Sequence, residues 1–197
     1  MPDLNNPGLD ELAENPTEAN ISPGPTGLLI GNRRNHAAAN GYVAQLGILG
    51  REAYNFDQAD PRFVGELLQG NLNAGSPFGG NFWALPYANI RLANTLLPAI
   101  DKVPEFSAAE KAGLRGFTKT MIALDLLEVI STRDDIGAVI DTNRPIGDVG
   151  PIADKTAVLA EIAKLLDEGA MELQSGGDEF AFKLSSGFTD FDKPATF

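Results

Sequence analysis

Trp83-Ala-Leu-Pro-Tyr87-Ala-Asn-Ile90-Arg-Leu-Ala93-Asn94-Thr-Leu-Leu97-Pro-Ala-Ile100, followed by Val103-Pro104-Glu105-Phe106-Ser107-Ala108-Ala109-Glu110, is the stretch whose reading decides the fold. Tyr87, Ile90, Ala93, Leu97 and Ile100 recur at steps of three and four, which lines one face of a helix. Beyond the turn, Leu114, Phe117, Met121, Leu124 and Val129 with Ile130 keep the same spacing over about six turns. Ser107 with Glu110 three residues on is a capping box, in which the hydroxyl accepts from an orphan amide and the carboxylate reaches back to the cap. The run 82–133 therefore predicts two antiparallel helices joined by a short loop, with Pro98 bending the first near its end. Such hairpins are the unit of helical-repeat proteins, whose usual work is binding.

Working outward, the 197 residues bound the chain to one domain or two. A hydrophobic fraction of 43% and 11 Phe supply core material. Lys and Arg total 15 against 27 Asp and Glu, a net charge of -12, which repels phosphate backbones and anionic lipid and excludes nucleic acid as a partner. There is no cysteine, hence no disulfide, thiolate metal site or cysteine nucleophile. The uncharged run 35–50 is broken by Asn40, Gly41, Gln45 and Gly47 and does not read as a membrane span. Met1-Pro2-Asp3-Leu4 lacks the basic start and apolar core of a signal peptide, which leaves a cytoplasmic protein or a trimmed N-terminus.

Residues 1–14 read as an extended arm, and 15–197 as the helical domain. Asn15-Pro16-Thr17-Glu18 predicts a helix start capped by Asn15, and Ser22-Pro23-Gly24-Pro25 an interruption before the helix resumes through Leu28 to about His36. A short buried helix follows over Tyr42, Val43, Leu46, Ile48 and Leu49, and Asp60-Pro61-Arg62-Phe63 predicts another capped start. The Gly/Pro/Asp connector 136–151 holds a very short strand near 138–140. Asp154 then caps a third long helix striped by Val158, Ile162, Leu165, Gly169 and Leu173. The tail from Phe180 to Phe197 carries five Phe, which predicts an apolar surface in need of a partner and a chain that has been cut.

Signals of chemistry are weak. His36, the single histidine, has no carboxylate or serine partner within its own stretch and reads as a helix-end imidazole. Asp134, Asp135, Asp141 and Asp148 do not follow the spacing of a calcium loop and read as solvated connector charges. Gly27-Leu-Leu-Ile-Gly31 lacks the Gly-Lys-Ser/Thr ending of a phosphate loop. No metal site, cofactor or catalytic pair is expected. The ligand-like cluster is Gly50-Arg51-Glu52-Ala53-Tyr54-Asn55-Phe56-Asp57-Gln58-Ala59-Asp60, where aromatics beside hydrogen-bonding groups suit sugars and peptides. The competing expectation is that Tyr54 and Phe56 pin the loop to the helices while Arg51 and Glu52 pair internally. Trp83 reads as a packing residue.

Leu4-Asn-Asn-Pro7, Asn15-Pro-Thr17, Thr26-Gly-Leu-Leu-Ile-Gly31, Leu46-Gly-Ile-Leu-Gly-Arg-Glu52 and Asp60-Pro-Arg62 together resemble the start of SusD/RagB-type nutrient-uptake proteins. Trp83-x3-Tyr87-x2-Ile90-x2-Ala93-Asn94 and Phe191-Asp-Lys-Pro-Ala-Thr-Phe197 extend that resemblance over nearly the whole chain. It implies an all-α fold of tetratricopeptide-like hairpins. It also implies a non-catalytic lipoprotein on the outer face of the outer membrane, a lid over a SusC-like TonB-dependent transporter that captures glycans or peptides. Arg51, Glu52, Tyr54, Asn55, Asp60 and Arg62 are the candidate ligand residues. The chain departs from the family in lacking the acylated cysteine, in Pro23 and Pro25 interrupting the first helix, and in stopping at Phe197, where members continue into a loop-rich second half. The competing class is a cytoplasmic helical-repeat adaptor that binds protein partners in a groove.

Overall fold

The computed structural model describes residues 9–73, 75–145 and 147–197. The expected arm falls largely outside them, in residues 1–8 with the Leu4–Pro7 motif. Its remainder is not extended: α1 (Leu9–Glu14) is a short helix that packs on α5 through the buried Leu12. The all-α expectation holds. The other helices are α2 (Glu18–Ile21), α3 (Gly24–Ala37), α4 (Tyr42–Leu49), α5 (Asn81–Lys102), α6 (Ala108–Arg133) and α7 (Lys155–Gln174). A wider, π-helical turn spans Phe63–Leu68.

The proline-rich interruption lies where expected, between α2 and α3, and Pro25 sits in the first turn of α3, where its missing N–H breaks no helical bond. Thr17, rather than Asn15, caps α2. Its hydroxyl accepts from Asn20 N–H at 3.4 Å while the Asn20 side chain accepts from Thr17 N–H at 2.7 Å, a reciprocal box that Asn15 stands too far back to form. Asp60 likewise turns the chain before the π-helical segment without capping it directly.

The α5–α6 hairpin is as read, and its box closes with Ser107 accepting from Glu110 N–H at 3.2 Å and Glu110 accepting from Ser107 N–H at 2.8 Å. α5 runs through Pro86 and Pro98 and continues to Lys102. The periodicity erred at one position. On α5 Leu97 packs half-buried against the core beside the fully buried Leu96, but Leu124 on α6 is 39% exposed while Ala123 and Leu126 go inside. α6 is the centre of the molecule, packed by α5 on one side and α7 on the other, with α3 crossing both members of the hairpin. Two close approaches depend on glycine. A Cβ on Gly116 of α6 would stand 2.8 Å from the Gly169 carbonyl oxygen of α7, and one on Gly31 of α3 would collide with the Asn89 side chain of α5.

β1 (Ala138–Val139) pairs antiparallel with β2 (Ile152–Ala153), registering Ala138 with Ala153 and Val139 with Ile152. Tyr87 stitches this ribbon to α5: its hydroxyl accepts from Val139 N–H at 2.7 Å and donates to the Val139 carbonyl at 2.8 Å. Asp154 caps α7 by accepting from Ala157 N–H. The aromatic tail finds its partner within the chain: Phe180, Phe182 and Phe197 gather around Phe117 on α6, leaving Phe191 exposed.

Candidate functional site

The ligand-like loop begins where α4 ends. Glu52 and Ala53 N–H groups both donate to the Gly47 carbonyl, and Arg51 takes the left-handed conformation at φ 60° that usually falls to glycine at a helix end. Three short-range side-chain turns then set the path. Asn55 Oδ1 accepts from Asp57 N–H at 2.9 Å, Asp57 Oδ1 from Ala59 N–H at 2.9 Å, and Asp60 Oδ1 from Arg62 N–H at 3.2 Å. These are the backbone-mimicking turns that Asn and Asp form best.

Asp60 and Arg62 are spent mainly on each other. The Arg62 guanidinium donates to both Asp60 oxygens, at 2.7 and 2.8 Å, and these bonds hold the Asp60 carboxyl below its ordinary range. Arg62 also lies 5.9 Å from the Phe78 ring, so the pair anchors the loop's far end. Of the six candidates, Asn55, Asp60 and Arg62 thus shape the loop, and Arg51, Glu52 and Tyr54 remain on its outer surface. Among the described residues, Arg51 and Glu52 form no ion pair with each other.

Tyr54 and Phe56 do not pin the loop to the helices. They are 60% and 70% exposed, and their rings stack on each other with centroids 5.9 Å apart and planes 3° from parallel. Residues two apart in an extended segment share a face, which is why the rings meet. The outcome is a two-ring aromatic ledge in solvent on a loop whose own polar groups hold it in shape. Such a ledge offers flat apolar faces rimmed by donors and acceptors.

A second group was not legible from local sequence. Asp125 and Glu128 of α6, 1% and 5% exposed, lie at the crossing with α3 and α5. Asn89 Nδ2 donates to Asp125 Oδ2 at 2.8 Å, and Asn32 Nδ2 to Asp125 Oδ1 at 3.2 Å and to Glu128 Oε1 at 2.6 Å. His36 Nε2 lies 2.5 Å from Glu128 Oε1, so the lone histidine has a carboxylate partner after all, on a helix 92 positions away. Burial raises the Asp125 carboxyl to about 7, against the pull of the two asparagine amides. The signal lay in polar residues at core positions: Met121, Asp125 and Glu128 are one helical stripe, and Asn32 and His36 another. This network clamps α3 to the hairpin.

The connector aspartates behave as solvated charges with local partners. Asp141 and Asp148 both bind Arg144, at 2.7 and 2.8 Å, and Asp134 pairs with Lys155. Among the described residues no group of His, Asp and Glu is arranged to hold a metal ion, and no helix is long and apolar enough to cross a membrane. No protein-family model matches the chain, nor does any curated protein or solved structure.

Proposed function

We propose that this chain is the helical, glycan- or peptide-capturing portion of a SusD/RagB-type protein, a non-catalytic lid on a SusC-like TonB-dependent transporter at the cell surface. The observation that carries the reading is the exposed, mutually stacked pair Tyr54 and Phe56. Aromatic rings of this size are ordinarily at least partly buried, and an exposed pair can stack on the C–H faces of a sugar or on peptide side chains. Arg51 and Glu52, beside the rings and outside any mutual pair, supply a donor and an acceptor for the ligand's polar edge. The reading is also supported by the all-α scaffold, which is the fold class the family resemblance implies.

Antibody labelling of intact cells that express the full-length protein tests the location this function requires. Labelling without permeabilisation is expected. Labelling only after the outer membrane is opened and the cytoplasm exposed would contradict it and favour a cytoplasmic helical-repeat adaptor.

A further inference from the structure

A separate cavity of about 380 Å³ opens between the first half of α5 and residues 141–145 and 147–150 of the connector. Trp83, Tyr87 and Arg91 line it from the helix, at steps of four that put them on one face, and Asp141, Arg144 and Asp148 line it from the connector. Its size falls within the range of small-molecule sites. Trp83 and Tyr87 pack with ring centroids 4.6 Å apart, making one wall aromatic. The Arg133 guanidinium lies 4.8 Å from the centre of the Trp83 ring, and its buried Nε has no hydrogen-bond partner among the described residues. The cavity therefore has positive charge beside its aromatic wall.

The facing wall alternates donors and acceptors. Arg144 lies between Asp141 and Asp148, donating to each through a different nitrogen. Adjacent sugar hydroxyls both donate and accept, so they match a wall on which carboxylates and a guanidinium sit side by side. A peptide backbone, with its donors and acceptors at fixed intervals, fits such a compact alternation less well. Arg91 adds a cation that forms no ion pair among the described residues. In a chain of net charge -12, the lining balances two guanidiniums, Arg91 and Arg144, against two carboxylates, and Arg144 is held by both of those, which leaves Arg91 as the cation open to a ligand.

We propose that this cavity binds an acidic sugar, a hexose ring bearing a carboxylate, stacked on the Trp83–Tyr87 wall with its carboxylate on Arg91. The proposal rests on the glycan-capture reading and deepens it by naming the class of glycan and a second place of contact.

Trp83 is the single tryptophan, so emission excited selectively at tryptophan, away from the three tyrosines, comes from the wall of this cavity. Titrating the protein with trigalacturonate should give a saturable change in Trp83 emission, and neutral galactotriose should not at the same concentrations. Arg91 is exposed, so Arg91→Ala should leave the far-ultraviolet circular dichroism unchanged. It should weaken trigalacturonate binding about tenfold through loss of a charge-assisted hydrogen bond. Equal binding of the neutral trimer, full affinity in Arg91→Ala, or triglutamate binding as tightly as trigalacturonate would each overturn the proposal. No emission change with trigalacturonate, in a protein that still captures glycans on an array, would overturn the cavity assignment and leave the capture reading standing. Silence in both assays would remove both.

Discussion

Phe197 rests on Phe117, their ring centroids 4.8 Å apart and their planes tilted by 39°. Phe180 and Phe182 close on the same ring edge-on, at 6.0 and 5.0 Å. Edge-to-face contacts align the positive ring edge with the negative face, adding to the burial of the rings themselves. The tail thus covers the middle of α6 as a further layer of core, joined to it by one fully buried phenylalanine.

Phe117→Ala should therefore cost about 3–5 kcal/mol of unfolding free energy, the range for deleting a buried aromatic ring. Phe197→Ala, at the edge of the same cluster, should cost less. Urea denaturation followed by circular dichroism measures both, and a cost for Phe117→Ala no larger than that of Phe197→Ala would show that the tail is not core.

Gly116→Ala sets two effects against each other. Alanine favours helix over glycine by about 1 kcal/mol. Yet the new methyl would lie 2.7 Å from Leu173 Cγ and 2.8 Å from the Gly169 carbonyl oxygen, and the latter is backbone that can yield only if α7 shifts. Overpacking of this kind costs about 1–3 kcal/mol, so a net loss of stability is expected. A thermal midpoint at or above the wild type would count against the close α6–α7 approach.

Asp125 makes stability depend on pH. Its carboxyl is raised from 3.8 to about 7 in the folded protein, so between those values the native state holds a proton that the unfolded chain releases. The contribution of this group is complete below the unfolded value and is lost as pH rises through the folded one. Wild type should thus lose stability relative to Asp125→Asn between about pH 5 and about pH 8. Chemical denaturation of both proteins at the two pH values gives that difference, and a constant difference would remove Asp125 as the source.

Helices and caps were legible because their causes are local. Ser107 and Glu110 are three residues apart, Pro23 and Pro25 carry their own geometry, and Asp154 stands one residue before its helix. What local pattern could not supply is partnership over distance. His36 meets Glu128 only once α3 has crossed α6, and the tail phenylalanines look exposed until they fold back on Phe117. The candidate site was misjudged on a local point instead. Asp60 and Arg62 read as available ligand groups, but a spacing of two lets them grip each other, while Tyr54 and Phe56 lie further from the core than the packing alternative required. The cavity beside Trp83 joins residues some 60 positions apart, and no spacing rule reaches that far.

The central claim is that Tyr54 and Phe56 are a capture surface, and an array of immobilised glycans and peptides tests it most directly. Wild type and the double variant Tyr54→Ala, Phe56→Ala are applied side by side. Because both rings are exposed, the variant should unfold at the wild-type urea midpoint. Wild type should mark a set of glycans or peptides and the variant should lose about tenfold or more of that binding, since each stacked ring contributes of the order of 1 kcal/mol. Retention of the full wild-type pattern by a folded double variant would contradict the account.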